Sequence, residues 1–127
     1  VQEDGVLYAG DLVFRGRVPF VGDADSRAWI AALDKLITLE PRVLVPGHGA
    51  PSPNATPVRE TRDYLLWLSG RLENAAADGL GMRDLIALPP PERFRKLGVI
   101  EAEYPRTVQQ LYPALERQQL KPAGTLR

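Results

Sequence analysis

The sequence contains no cysteine and a single histidine, His48. Without cysteine, the chain has no disulfide bond, no thiolate metal site and no cysteine nucleophile. The redox compartment is left open by this absence, because a cysteine-free chain is stable on either side of a membrane. With only one imidazole, a metal centre built from several histidines would need ligands from other polypeptide.

Net charge and long apolar runs are also missing. Sixteen basic residues balance sixteen acidic ones, so no long-range attraction draws the protein to phosphate backbones or anionic lipids. No apolar run approaches the roughly 20 residues that cross a bilayer, and no secretory signal opens the chain. We therefore expect neither nucleic acid nor a membrane as a partner. The first residues, VQEDGVLYAG, lack an initiator methionine, which indicates a processed or truncated N-terminus.

The first part of the chain has the pattern of a strand, a helix and a second strand. Val6–Ala9 is a short apolar run that ends at Gly10, as is typical of a buried strand. A helix is predicted next, because five apolar side chains fall on one helical face, namely Trp29, Ile30, Leu33, Leu36 and Ile37. Pro41 ends this helix, and Val43–Val45 forms the second strand. A crossover of this length usually places its two strands side by side and parallel.

Asp11 and His48 follow these two predicted strands, each directly after a glycine. Ligands of parallel sheets collect at the carboxyl ends of the strands. A carboxylate and an imidazole are preferred ligands of zinc, and glycine neighbours permit the close backbone approach that metal bonds need. Two simpler interpretations stay open. Asp11 could cap a turn, and His48 could be a loop histidine that hydrogen-bonds to the backbone.

Other residues near these strands have both functional and structural interpretations. Arg15 and Arg17 either contact an anionic substrate or are solvated loop charges. Asp23 and Asp25 are interpreted as helix-capping residues rather than metal ligands, because they immediately precede the predicted helix. Both tryptophans lie on apolar helix faces and are predicted to be core residues.

The second half of the chain is predicted to be mostly helical. A long helix is expected to begin at Thr56-Pro57 and to stop at Asp78-Gly79. Its apolar face consists of Val58, Thr61, Leu65, Leu68, Leu72 and Ala75 or Ala76. A shorter helix over Met82–Leu88 precedes the segment PPPER, which is expected to be a stiff connector. A last amphipathic stretch begins at Tyr104, and Pro113 should kink or shorten it.

Two segments, AGDLVFRGRVPFVGDADSRAWIAALDKL and VLVPGHG, resemble the C-terminal half of a metallo-β-lactamase-fold hydrolase. The resemblance is closest to the bacterial zinc metallohydrolases associated with quinoprotein and sulfur-oxidation systems. It implies an α/β fold in which residues 1–127 are the C-terminal half of an αββα sandwich, with short strands followed by several helices. Residues 1–50 would be the strand–helix–strand unit that carries the metal ligands, and residues 51–127 a mostly helical extension.

The resemblance also implies a function. In that superfamily an aspartate at a strand end bridges two metal ions, and a later histidine binds the second ion. Carried over by position, Asp11 would be the bridging, catalytic carboxylate and His48 a ligand of the second metal. The implied cofactor is a pair of zinc ions, with iron and manganese as alternatives.

One departure from the superfamily pattern is large. The cluster His-x-His-x-Asp-His is absent from the sequence, and so is the further histidine of the first metal site. The resemblance therefore implies a fragment of a dinuclear zinc hydrolase with a small-molecule substrate. We expect this fragment to be inactive without its partner, its own N-terminal half.

A different class of function also stays open, a non-catalytic binding or scaffold module that associates through its exposed sheet face. Half of a sandwich leaves an apolar surface uncovered, which favours association with another protein or with a second copy of the fragment. Both functions are compatible with a location in the bacterial cytoplasm and with one in the periplasm.

Overall fold

The computed structural model describes residues 5–16 and 26–120, and for Asp11, Ser26, His48 and Leu120 it describes the backbone alone. The described residues form two strands and five helices, and helix predominates. The elements are β1 (Val6–Phe14), α1 (Ser26–Thr38), β2 (Val43–His48), α2 (Thr56–Ala77), α3 (Met82–Ala87), α4 (Glu92–Arg95) and α5 (Ile100–Leu120). The predicted α/β class, with short strands followed by several helices, is confirmed at this level.

β1 and β2 pair in parallel, as the crossover length predicts. In the regular part of the ladder Val6 lies opposite Val43 and Tyr8 opposite Val45. The predicted end of β1 is wrong, because the strand continues past Gly10 to Phe14. The register shifts on both sides of Gly10, whose φ of 59° is unfavourable for residues with a side chain. The glycine therefore introduces an irregularity into the strand instead of ending it.

The helices cover one face of this sheet. Leu7, Ala9 and Leu44 are buried, and β1 packs against α1 and α2. On the opposite face Tyr8 is 68% exposed and Val43 is 37% exposed. Among the described residues, the sheet thus buries one apolar face and leaves apolar side chains of the other accessible.

α1 has the predicted amphipathic pattern. Trp29 and Leu33 are buried, and Ile30, Leu36 and Ile37 are partly buried against the same core. The helix ends at Thr38, ahead of Pro41, as expected. Arg17, Asp23 and Asp25 lie outside the described residues, so their predicted roles stay predictions.

α2 is the central helix and packs against β1, α1 and α5. Its predicted apolar face is buried throughout. It begins at Thr56, as predicted, and Ala55 is the residue at its N-cap. The side chain of Asn54 accepts a hydrogen bond from the Thr56 amide at 2.9 Å. The C-terminus is the predicted one. Gly79 has φ 72°, and the amide of Leu80 donates to the Ala75 carbonyl at 2.9 Å, which is the Schellman arrangement.

The C-terminal helices differ from the prediction at the prolines. The segment PPPER is not only a connector, since α4 begins at Glu92. α5 starts at Ile100 and continues through Pro105 and Pro113 to Leu120, so Pro113 does not shorten it. Burial of one face of α5, which includes Tyr104, Val108 and Tyr112, outweighs the backbone hydrogen bond lost at each proline.

Trp67 belongs to an aromatic cluster between α2, α4 and α5. Its ring centroid lies 5.3 Å from that of Phe94 and 5.7 Å from that of Tyr104. The guanidinium of Arg71 lies 4.8 Å from the Trp67 ring centroid and donates to the carbonyl oxygens of Leu88 and Pro89. Trp67 is thus partly buried core, capped by a cation. None of the described helices combines the length and apolar character that a membrane span requires.

Candidate metal site

Asp11 and His48 lie on adjacent, paired strands. His48 is the last residue of β2 and lies opposite Phe14, whereas Asp11 lies between the register pairs Gly10–Pro46 and Phe14–His48. Asp11 is therefore inside β1 and not beyond its end, which corrects the sequence-based placement. Along β1, Asp11 lies three residues before Phe14, the register partner of His48.

The stretch of β1 around Asp11 departs from the regular ladder and is held by side chains. The indole Nε1 of Trp29 donates a hydrogen bond to the Leu12 carbonyl at 2.8 Å. The hydroxyl of Thr61 accepts from the Phe14 amide at 3.1 Å and lies 3.0 Å from the Phe14 carbonyl. Two side chains from α1 and α2 thus hydrogen-bond to the backbone of β1 beyond its irregularity. Trp29 therefore has a polar role in addition to its predicted place in the core.

The loop after His48 wraps around Arg15. Gly49 has φ 106°, and a Cβ atom at this position would lie 2.6 Å from Arg15 Cβ and 2.7 Å from the Arg15 carbonyl oxygen. Nη1 of Arg15 donates to the carbonyl of Ala50 at 3.1 Å and also to that of Pro51. The structure thus adds a third interpretation to the two drawn from the sequence, because Arg15 binds the carbonyls of a neighbouring loop.

A second contact returns the loop to the sheet. The amide of Ser52 donates to the Leu44 carbonyl at 2.8 Å, and the Leu44 amide donates to the Ser52 carbonyl at 2.7 Å. The segment after His48 is therefore held by hydrogen bonds at two places, to the side chain of Arg15 and to the backbone of Leu44 in β2.

The donor chemistry of Asp11 and His48 suits zinc in part. A carboxylate and an imidazole are both common zinc ligands, but a catalytic zinc usually has three protein ligands and a structural zinc four. Among the side chains that the structure describes, which do not include those of Asp11 and His48, no group of three or more His, Asp or Glu could hold a metal ion. The chain thus offers two candidate ligands on adjacent strands and would need further ligands to complete a centre.

Comparison with known proteins locates a family likeness in this same region. Residues 1–48 match the model of the metallo-beta-lactamase superfamily. Both Asp11 and His48 lie in the matched range, which covers fewer than half of the 127 residues. No curated protein matches the chain. The first strand–helix–strand unit is therefore similar to that superfamily, and the match does not extend into α2–α5.

Sequence reasoning missed the residues that shape the stretch around Asp11 and His48. Thr61 appeared only as one member of an apolar helix face, although a threonine on such a face signals a buried hydrogen bond. The proximity of Arg15 and Gly49 had no local signal, because 34 positions separate them along the chain. Only packing of the loop against β1 brings them together.

Replacing Thr61 with valine tests how the β1 stretch is held. We expect this change to lower the free energy of unfolding by about 0.5–1.5 kcal/mol, because it removes the hydrogen bond that the Phe14 amide donates to the Thr61 hydroxyl. Thr107→Val is a matched control, since Thr107 is equally buried but its hydroxyl has no hydrogen-bond partner among the described residues. Urea denaturation should show a smaller effect for the control. Equal losses in both variants would contradict the role assigned to Thr61.

Proposed function

We propose that this chain is part of a dinuclear zinc hydrolase of the metallo-β-lactamase superfamily, to which it contributes Asp11 and His48. One observation carries the proposal. A carboxylate and the only imidazole of the chain lie on paired parallel strands, within the range that matches the superfamily. Because one histidine and no cysteine are present, the remaining ligands would come from polypeptide outside these residues.

The two residues would have different tasks. The carboxylate of Asp11 carries a negative charge that can offset two adjacent cations, so it would bridge them. The neutral imidazole of His48 would hold one of the two ions. When bound, the metal pair lowers the pKa of water to about 7 and thereby supplies a nucleophile at neutral pH. A small molecule with an electrophilic carbonyl is the proposed substrate class, because a metal-activated hydroxide would attack such a centre.

The partner would be an N-terminal half that completes the αββα sandwich. The accessible sheet face with Tyr8 and Val43 supports this part of the proposal, because two packed sheets bury their facing side chains in a common core. The helices on the other face of the sheet would then form an outer layer.

A zinc titration tests the proposal. The 127-residue chain alone should bind no pair of zinc ions tightly, since two ligands do not complete either site. The same chain joined to an N-terminal polypeptide that carries the missing ligands should bind two equivalents and hydrolyse small esters, thioesters or lactams. Tight binding of two ions by the chain alone, or none by the joined protein, would contradict the proposal. Isothermal calorimetry and metal analysis provide the measurement.

A scaffold module is the second candidate. The same accessible face, with Tyr8 68% exposed, favours it. The two candidates differ in what the joined protein does with metal, since a scaffold would pair through the sheet face without binding zinc at Asp11 and His48. Sedimentation of the chain alone would reveal a homodimer, and Tyr8→Lys should weaken it if the sheet face is the contact.

A further inference from the structure

The end of β1 and the loop after His48 form a second, polar connection between the two strands. Beyond Phe14 and His48 the backbone ladder ends, and the next contacts are made by Arg15. Its guanidinium donates to the Ala50 and Pro51 carbonyls, which follow His48 by two and three residues. The two strand ends are thus coupled across 35 positions of sequence by one side chain.

Gly49, which directly follows His48, lies close against Arg15. Its φ of 106° lies in a region that residues with a side chain rarely adopt. A Cβ atom at this position would also lie only 2.6–2.7 Å from Arg15 atoms, which is too close for a side chain. Arg15 therefore packs closely against Gly49 and donates hydrogen bonds to the two residues that follow it. Carbonyl oxygens that accept from a guanidinium form stronger hydrogen bonds than those that accept from neutral donors.

We infer that Arg15 is a positioning residue for His48. Arg15 holds the loop that follows His48 and so fixes the backbone that carries the His48 imidazole. This inference rests on the proposed function, since it assigns the purpose of the contact to metal binding. Residues that orient a metal ligand typically contribute 10–100-fold to metal affinity. Arg15 would act through the backbone of residues 49–51, which it contacts and to which it donates hydrogen bonds.

The first measurement concerns the loop in the 127-residue chain without metal. Amide hydrogen exchange at Ser52, which donates to the Leu44 carbonyl, should accelerate at least about 10-fold in Arg15→Ala, because the loop then opens locally. Amides in the middle of α2 should keep their exchange rates. Arg59→Ala is the matched control, since Arg59 is exposed on α2. Unchanged exchange at Ser52 in Arg15→Ala would overturn the inference.

The second measurement concerns the metal in the joined protein. The dissociation constant for Zn²⁺, followed through the imidazole resonance of the chain's one histidine, should rise 10–100-fold in Arg15→Ala. It should rise less in Arg15→Lys, whose ammonium can reach one carbonyl but lacks the planar fork. Gly49→Ala should resemble Arg15→Ala, and Arg59→Ala should resemble the unchanged protein.

The outcomes separate the two proposals. Faster exchange at Ser52 with unchanged zinc affinity would reduce Arg15 to a structural contact and overturn its positioning role, while the proposed function would stand. If the unchanged joined protein binds no zinc at His48, the proposed function fails and the positioning role fails with it. The exchange result would then still report the loop contact as a structural feature.

Discussion

Replacing His48 with alanine in the joined protein is expected to abolish most hydrolysis and to weaken zinc binding by more than about 100-fold. The reason is that His48 is the only imidazole in the chain, so no neighbouring histidine of this chain can replace it as a ligand. Loss of a residue that only orients a ligand costs 10–100-fold, and loss of the ligand itself should cost more. Competition with a zinc chelator and initial-rate measurements at saturating zinc provide the test.

Asp11→Asn is the companion change, because it keeps the size of the side chain and removes its charge. An amide does not offset two cations, so we expect the joined protein to lose most turnover and at least one bound zinc. Asp84→Asn serves as the control, since Asp84 lies exposed in the first turn of α3. Full turnover after either change at Asp11 or His48 would reject the ligand assignment, whatever the stability of the variant.

The second large effect concerns the core beneath the sheet. Leu65→Ala should lower the free energy of unfolding by about 2–5 kcal/mol, because Leu65 is fully buried on α2 and its truncation leaves a cavity. Such a loss is a large fraction of the stability of a small domain. Urea denaturation with an unchanged slope of free energy against denaturant measures it.

The neighbouring residue provides a control in the same helix turn. Leu66 is 43% exposed, so Leu66→Ala should change the free energy of unfolding by less than about 0.5 kcal/mol. The two variants have the same chemistry and almost the same helix propensity, and they differ in burial. A loss at Leu66 as large as that at Leu65 would show that α2 does not face the core in the orientation described.

The amino-acid sequence by itself determined the elements whose signals are local. The apolar spacing of α1 and α2, the stop at Gly79 and the break at Pro41 act within a few residues, so they could be read without the fold. The parallel pairing of β1 and β2 was also predictable, because the length of the crossover restricts the topology. Asp11 and His48 were predicted to be ligands of one metal site because both follow strands of this parallel pair and because the family resemblance implies it.

Tertiary structure decided everything that depends on contacts between distant segments. The extension of β1 past Gly10 is accompanied by side-chain hydrogen bonds from Trp29 to the Leu12 carbonyl and between Thr61 and the Phe14 backbone. The continuation of α5 through Pro113 depends on burial of its face. Arg15 was ambiguous in the sequence and acquired a definite partner only where the loop at Gly49 folds against it. Hydrogen bonds and packing across 17–47 positions of sequence leave no periodic trace in the chain, and for that reason they appear only in the folded protein.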